Sequence, residues 1–162
     1  MVNHKVSSSS NSDKIVGQTA SVGFQVGVRR TLPITREQAW AYLVSSEGKS
    51  LWIGDENTLQ QLQVGEFFES RDGISGQLRV LKPLHQLRMA WSTRVWERPS
   101  TLQIRLLSDK PDRITISFHQ EKLADADTRE QMKLHWEQVL ATIAVRTSSL
   151  IHGDSEEEMR SQ

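Results

Sequence analysis

His135 and Arg146 are the side chains of this sequence best placed for chemistry. With residues laid at about 100° each, they fall roughly 60° and 40° to one side of the line through Met132. There they flank an apolar stripe, where either could hold an acidic or carbonyl group of a ligand. His135 could also move a proton, as the acid or base of a cyclase or hydrolase. The competing expectation is that both reach out at the seam and pair with nearby acids. The remaining histidines, His4, His85, His119 and His152, are scattered without metal-ligand spacing, and "HQEKL" lacks a second one. His119 alternates with Phe118 and is expected on an outer face. No serine stands in a nucleophile elbow. The glycines of "VGFQVG" lie within a strand and open no helix, so they form no phosphate cradle. Without cysteine the chain has no disulfide and no thiolate chemistry. No catalytic residue, metal ligand or cofactor is therefore assigned, and the sequence leans away from an enzyme.

Composition narrows the partners further. The 162 residues hold 20 basic and 20 acidic side chains, so the chain lacks the charge excess of a nucleic-acid or anionic-membrane binder. No run approaches the ~18 apolar residues of a membrane span. The opening "MVNHKVSSSSNSDK" lacks the apolar block of a secretory signal, which makes a cytoplasmic location the simplest expectation. Residues 1–20 are Ser-rich and read as a disordered arm, with Ile15 and Val16 its only apolar pair. A single domain is expected over 21–152. An acidic tail follows over 153–162, where Asp154, Glu156, Glu157 and Glu158 stand against Arg160.

The elements that must position His135 and Arg146 follow from hydrophobic period. Val22, Phe24, Val26 and Val28 alternate with polar or glycine positions, which predicts a half-buried strand ended by Pro33. Thr35 and Gln38 form a capping-box pattern ahead of a short helix from Arg36 to about Val44. A second short helix is expected near Glu47 to Ile53. Six short strands follow: "LQQLQV", "EFFES", "SGQLRVLK", "HQLRMAWS", "STLQIRLLS" and "DRITISFHQ". Asp72-Gly73, Lys82-Pro83 and Lys110-Pro111-Asp112 supply turns between some of them. The clean alternation predicts antiparallel pairing with one wet face. Asp127 and Glu130 signal the start of a long terminal helix and Gly153 its stop. Met132, Trp136, Val139, Ile143 and Leu150 lie near one line along it.

That order resembles the helix-grip arrangement of the START-like (SRPBCC) superfamily. More closely it resembles the family named after the activator of the heat-shock chaperone ATPase. The resemblance is carried in turn by "PITREQAWAYLVSSEGKSLWIG", "VGEFFESRDGISGQLRVLKPLHQLRMAW", "PSTLQIRL", "RITISFHQEKL" and "HWEQVLATI", over roughly residues 21–145. Two departures stand out. Gly65-Glu66 occupies a place where relatives often have two glycines, and His135 one where many have a single glycine. The resemblance implies an α+β fold, a curved antiparallel sheet of about six or seven strands wrapped around the terminal helix. Similar proteins bind hydrophobic or amphipathic compounds such as aromatic polyketides and lipids.

A bent sheet does not close flush on one straight helix, so an apolar hollow is expected between them. Phe24, Val26, Phe68, Leu78, Met89, Trp91, Leu102, Ile104, Ile116 and Phe118 should face it from the sheet side. Met132, Trp136, Val139 and Ile143 should answer from the helix, with Trp40 and Trp52 capping one end. With His135 and Arg146 these residues, Leu102 apart, form the expected ligand-binding set. Such stripes equally suit a plain core. Three functions follow: binding of a small hydrophobic molecule, a cyclase- or hydrolase-like reaction using His135, or a protein-interaction role as in the chaperone activators. Leu134 and Val145, on the far side of the helix, could mark a homodimer contact. The outer sheet face, with Gln103, Arg105, Arg113, Thr115 and His119, suits solubility better.

Overall fold

Strict alternation becomes strand, and every strand joins one sheet. The computed structural model describes the backbone of residues 18–19 and 23–161, and the side chains of 23–150 other than 109. The expected disordered arm lies outside the described residues apart from β1, Gln18–Thr19. β2 covers Gly23–Leu32. Two short helices follow, α1 (Arg36–Leu43) and α2 (Ser46–Trp52). Then come β3 (Phe67–Glu69), β4 (Ser75–Lys82), β5 (Gln86–Ser92), β6 (Ser100–Lys110) and β7 (Arg113–Leu123). The chain closes on α3, Ala126–Ser161. The sheet is antiparallel throughout in the order β1-β2-β7-β6-β5-β4-β3.

Local chemistry accounts for the boundaries. Thr35 and Gln38 exchange reciprocal hydrogen bonds of 3.0 Å, the capping box the spacing predicts. The Ser45 hydroxyl accepts the Gly48 N–H at 3.1 Å and starts α2. Gly48 is required there, because a Cβ at this position would lie 1.9 Å from the Tyr42 carbonyl oxygen. β6 and β7 meet through Pro111-Asp112, with Lys110 paired to Arg113.

Register shifts interrupt β2–β7 between Phe24 and Val26, β4–β5 between Leu78 and Val80, and β6–β7 between Leu107 and Lys110. At the first, the extra residue lies in β7, where Lys122 adopts a positive φ of 66°. Such bulges bend strands and raise local twist. They let one sheet curve around α3.

Three boundaries differ from the sequence reading. "LQQLQV" forms no strand: Leu59 turns into the core while Val64 stays 54 % exposed, and the segment runs as a loop. Leu59 and Leu62 are three residues apart, so only Leu62 and Val64 keep a period of two, and among the described residues no strand pairs with them. The cap of α3 is Asp125, whose carboxylate accepts the Thr128 N–H at 2.7 Å, rather than Asp127. The helix also continues through residue 153 to Ser161. A glycine within a helix costs about 1 kcal/mol but does not by itself stop it.

The core lies between the concave face and α3. Met132, Trp136, Val139 and Ile143 are buried as the helical period predicts, and Leu140 joins them. Leu150 instead is 37 % exposed, beyond the reach of the sheet.

Candidate functional site

The predicted binding residues gather into one cluster. Val26, Trp52, Phe68, Leu78, Met89, Trp91, Ile104, Ile116 and Phe118 are buried together with the four helix residues, and Leu102 is buried beside them. Phe24 and Trp40 pack half-buried against the set. Trp52, Leu78, Met89, Ile116, Phe118 and Trp136 are each 0 % exposed, so no water-sized space touches them. The expected hollow is therefore not centred on these side chains. Close packing of large rings fills the curvature. A groove of about 380 Å³ exists elsewhere, between β2 and α3. Arg146 stands apart from the cluster. Its side chain is 63 % exposed and lies 3.5 Å from Glu47 of α2.

A buried polar chain runs through the core. The Trp136 indole N–H donates to Gln120 Oε1 at 2.7 Å, and Gln120 Nε2 donates to Ser100 Oγ at 2.8 Å. Ser100 in turn donates to the Trp91 carbonyl at 2.7 Å. The Trp91 indole donates to the Trp52 carbonyl at 2.7 Å, and the Trp52 indole to the Leu43 carbonyl at 3.0 Å. Strands, short helices and α3 are thereby tied at fixed spacing, and the indole N–H of each buried tryptophan has its acceptor. Gln120 is absent from the core that hydrophobic patterning predicts, because it is polar. Its parity with Phe118 on β7 is the signal that puts it on the inner face.

His135 sits at one end of this chain, held among the described residues by aromatic contacts. Its ring lies 4.5 Å from Trp136 edge-on and 6.4 Å from Trp91. Trp91 also meets Trp136 at 5.5 Å and Trp96 at 5.3 Å, while Phe118 stacks on Trp136 at 4.9 Å. His135 Nε2 is buried with no hydrogen-bond partner, and so is Thr93 Oγ1 in the loop after β5. Burial holds the His135 imidazole below its ordinary value of 6.5, while the charge of Asp72 pulls it the other way. The imidazole is thus kept neutral. A neutral imidazole nitrogen donates or accepts according to its tautomer, and a threonine hydroxyl does either. Each unpartnered atom can therefore bond a neutral or weakly acidic polar group.

The flanking turns shape this end. Ser70 donates to Asp72 at 2.5 Å, and Arg94 reaches from the β5–β6 loop across Gly73 to the Arg71 carbonyl at 3.2 Å. Among the described residues no group of His, Asp or Glu could hold a metal ion, and no helix is long and apolar enough to cross a membrane.

Sheet, short helices and terminal helix together define an α+β helix-grip protein. The chain belongs to the family of Activator of Hsp90 ATPase homolog 1-like proteins, whose model matches residues 33–147. Among solved structures it is similar to PFC0360w, an HSP90 activator from Plasmodium falciparum. The two share 18% identity and a TM-score of 0.68, over 78% of this chain and 97% of that one. It is also similar to DynU16, a protein of the dynemicin biosynthetic locus, at 15% identity and a TM-score of 0.66. That match covers 77% of this chain but 47% of DynU16, so the chain spans about half of that protein's length. The solution structure of an Aha1 dimer from Colwellia psychrerythraea aligns at 13% identity and a TM-score of 0.62, over 74% of this chain and 92% of that one. Among curated proteins none matches it in sequence.

Proposed function

We propose that this domain binds a small amphipathic molecule at the Trp91–His135 end of its core. One observation carries the reading: His135 Nε2, buried against Trp91 and Trp136, lacks a partner, as does Thr93 Oγ1 in the loop after β5. A buried polar group left unmade costs about 1–3 kcal/mol. A ligand with an aromatic or acyl body and one polar group relieves that cost and stacks on Trp91 and Trp136. Entry requires the half-buried Trp96 and its loop to move aside, because the interior holds no water-sized space beside its central rings. The helix-grip fold supports the reading as well.

Thermal unfolding with hydroxylated naphthalenes and fatty acids as probes tests it. A probe at one hundred times its dissociation constant should add ~2.7 kcal/mol, a shift of several degrees at this size. His135→Phe with Thr93→Val should remove most of the shift. A shift that survives both substitutions would refute the site, and no shift from any probe would refute the reading.

Self-association is a second reading, favoured by Leu134 and Val145, which are 63 % and 70 % exposed on one face of α3. The Colwellia psychrerythraea structure is of a dimer.

A further inference from the structure

The side of the sheet that faces away from α3 carries two lines of side chains set by strand register. Lys82 of β4 stands opposite Gln86 of β5, and Gln86 opposite Arg105 of β6. Arg105 stands opposite Ser117 of β7, and Ser117 opposite Arg29 of β2. Residues directly opposite share a face, so these five form one line across five strands. Ile104, Leu106, Ile116 and Phe118, next to Arg105 and Ser117 along their strands, are buried in the core, which puts the line on the outer side. The neighbouring line repeats the pattern: Arg88 lies opposite Gln103, and Gln103 opposite His119.

Polar side chains and cations alternate here, and they are used differently. Gln86 donates to Gln103 at 2.9 Å, and His119 meets Gln25 at 3.1 Å. Arg29, Lys82, Arg88 and Arg105 are exposed, and among the described residues none of them is in an ion pair. Arg71, Arg129 and Arg146, by contrast, each meet a glutamate. Neither line contains an acid. Strands about 4.8 Å apart place Lys82, Arg105 and Arg29 roughly 10 Å from one to the next. Their fields therefore add over the outer face.

We propose that this outer face docks an acidic segment of a partner protein, whose carboxylates seat on Lys82, Arg105, Arg29 and Arg88. Three of the four are arginines, and a guanidinium offers a carboxylate two parallel N–H bonds. The two lines hold no Trp, Tyr or Phe, so a nucleic acid finds no such ring on which to stack its bases. Val80, opposite Arg88, is half-buried and is their one apolar member, which leaves nothing to insert into a membrane. With 20 basic and 20 acidic residues, the chain also lacks the surplus that either of those polyanions requires. The proposal does not rest on the ligand reading, because His135 lies with Trp91 and Trp136 on the other side of the sheet.

Fluorescein-labelled poly-glutamate of about ten residues, long enough at about 3.4 Å per residue to cross the line, is the probe. The full chain should raise its anisotropy at about 50 mM salt and lose roughly fivefold in affinity by about 300 mM. Arg29→Gln with Arg105→Gln should weaken binding about tenfold, the loss expected of two exposed ion pairs. Arg71→Gln with Arg98→Gln removes the same charge from the exposed loops before β4 and after β5. That pair should weaken binding less than about twofold, because charges away from the face are screened. Arg105→Lys, which keeps the charge, should retain most of the affinity that Arg105→Gln loses. Equal losses in the two glutamine pairs, no binding at the lower salt, or no rescue by lysine would each overturn the proposal. Tighter binding of oligothymidylate or of phosphatidylserine vesicles than of poly-glutamate would overturn it too.

Discussion

His135 and Gln120 show opposite uses of a buried polar side chain. Among the described residues the His135 imidazole has no acceptor, and burial outweighs the charge of Asp72, so its proton affinity is lowered relative to the unfolded chain. The unfolded state then binds more protons below its ordinary value of 6.5. Stability should therefore be unaffected by this group above that pH and fall as the pH drops below it. Denaturant midpoints from pH 7.5 to 5 check this. His135→Phe should flatten the curve in that window, and an unchanged slope would assign it to other groups. Asp125 has the same sign from the opposite cause, a hydrogen bond that favours its charged form. The Thr128 N–H lowers its carboxyl, so its contribution is present above the ordinary value of 3.8 and lost as the pH falls further. Gln120 by contrast has a partner at each polar atom, bridging Trp136 and Ser100. Gln120→Leu should leave the Trp136 indole N–H buried and unpaired, at a cost of about 1–3 kcal/mol. Urea unfolding measures it, and a loss below about 0.5 kcal/mol would mean that the chain relaxes to another acceptor.

At the scale of elements, close approach decides what each strand or helix can carry. A Cβ on Gly76 of β4 would lie 1.9 Å from the Ala90 carbonyl oxygen and 2.6 Å from Phe68 Cζ. Gly76→Ala must therefore part β4 from β5 or push Phe68 out of the core. It should cost about 3 kcal/mol or more, among the larger single-site losses. Gly27→Ala, with its single 3.7 Å contact, is the matched control and should change stability by less than about 1 kcal/mol. Similar losses in both would show that backbone freedom rather than contact sets the cost. Arg36 joins elements in another way. Its guanidinium donates to the Leu84 carbonyl at 2.9 Å and the Leu106 carbonyl at 3.0 Å, holding α1 against the β4–β5 hairpin. Leu84 keeps a left-handed φ of 70° at the tip of that hairpin.

For the whole molecule, the exposed apolar side chains among the described residues come from several elements. Phe67 and Val95 are 72 % and 85 % exposed in β3 and in the β5–β6 loop, and Leu134 and Val145 on one face of α3. Two side chains on one helical face make a contact far below the ~800 Å² per partner of a stable interface. Any dimer through Leu134 and Val145 should therefore be weak and concentration-dependent. Light scattering at about 10 and about 500 μM checks this, with Leu134→Lys expected to hold the chain monomeric at both. A dimer that persists in that variant would place the contact on another face.

Periodicity alone determined most of the architecture. Alternation marked β2, β4, β5, β6 and β7, and Thr35 with Gln38 marked α1. The Met132–Trp136–Val139–Ile143 line marked the buried face of α3. These signals are local, because strand and helix periods depend on which face is wetted. Where the alternation was short and had no partner strand, as at Leu62 and Val64, it misled. The centre of the core and the place of the free space were decided only by tertiary structure. Whether curvature leaves a hollow depends on how Trp91, Trp136 and Phe118 interlock, and bulges far apart in sequence set that curvature. Likewise His135 and Arg146, neighbours in angle on one helix, are separated by what packs against each: two indoles for the first, solvent and Glu47 for the second.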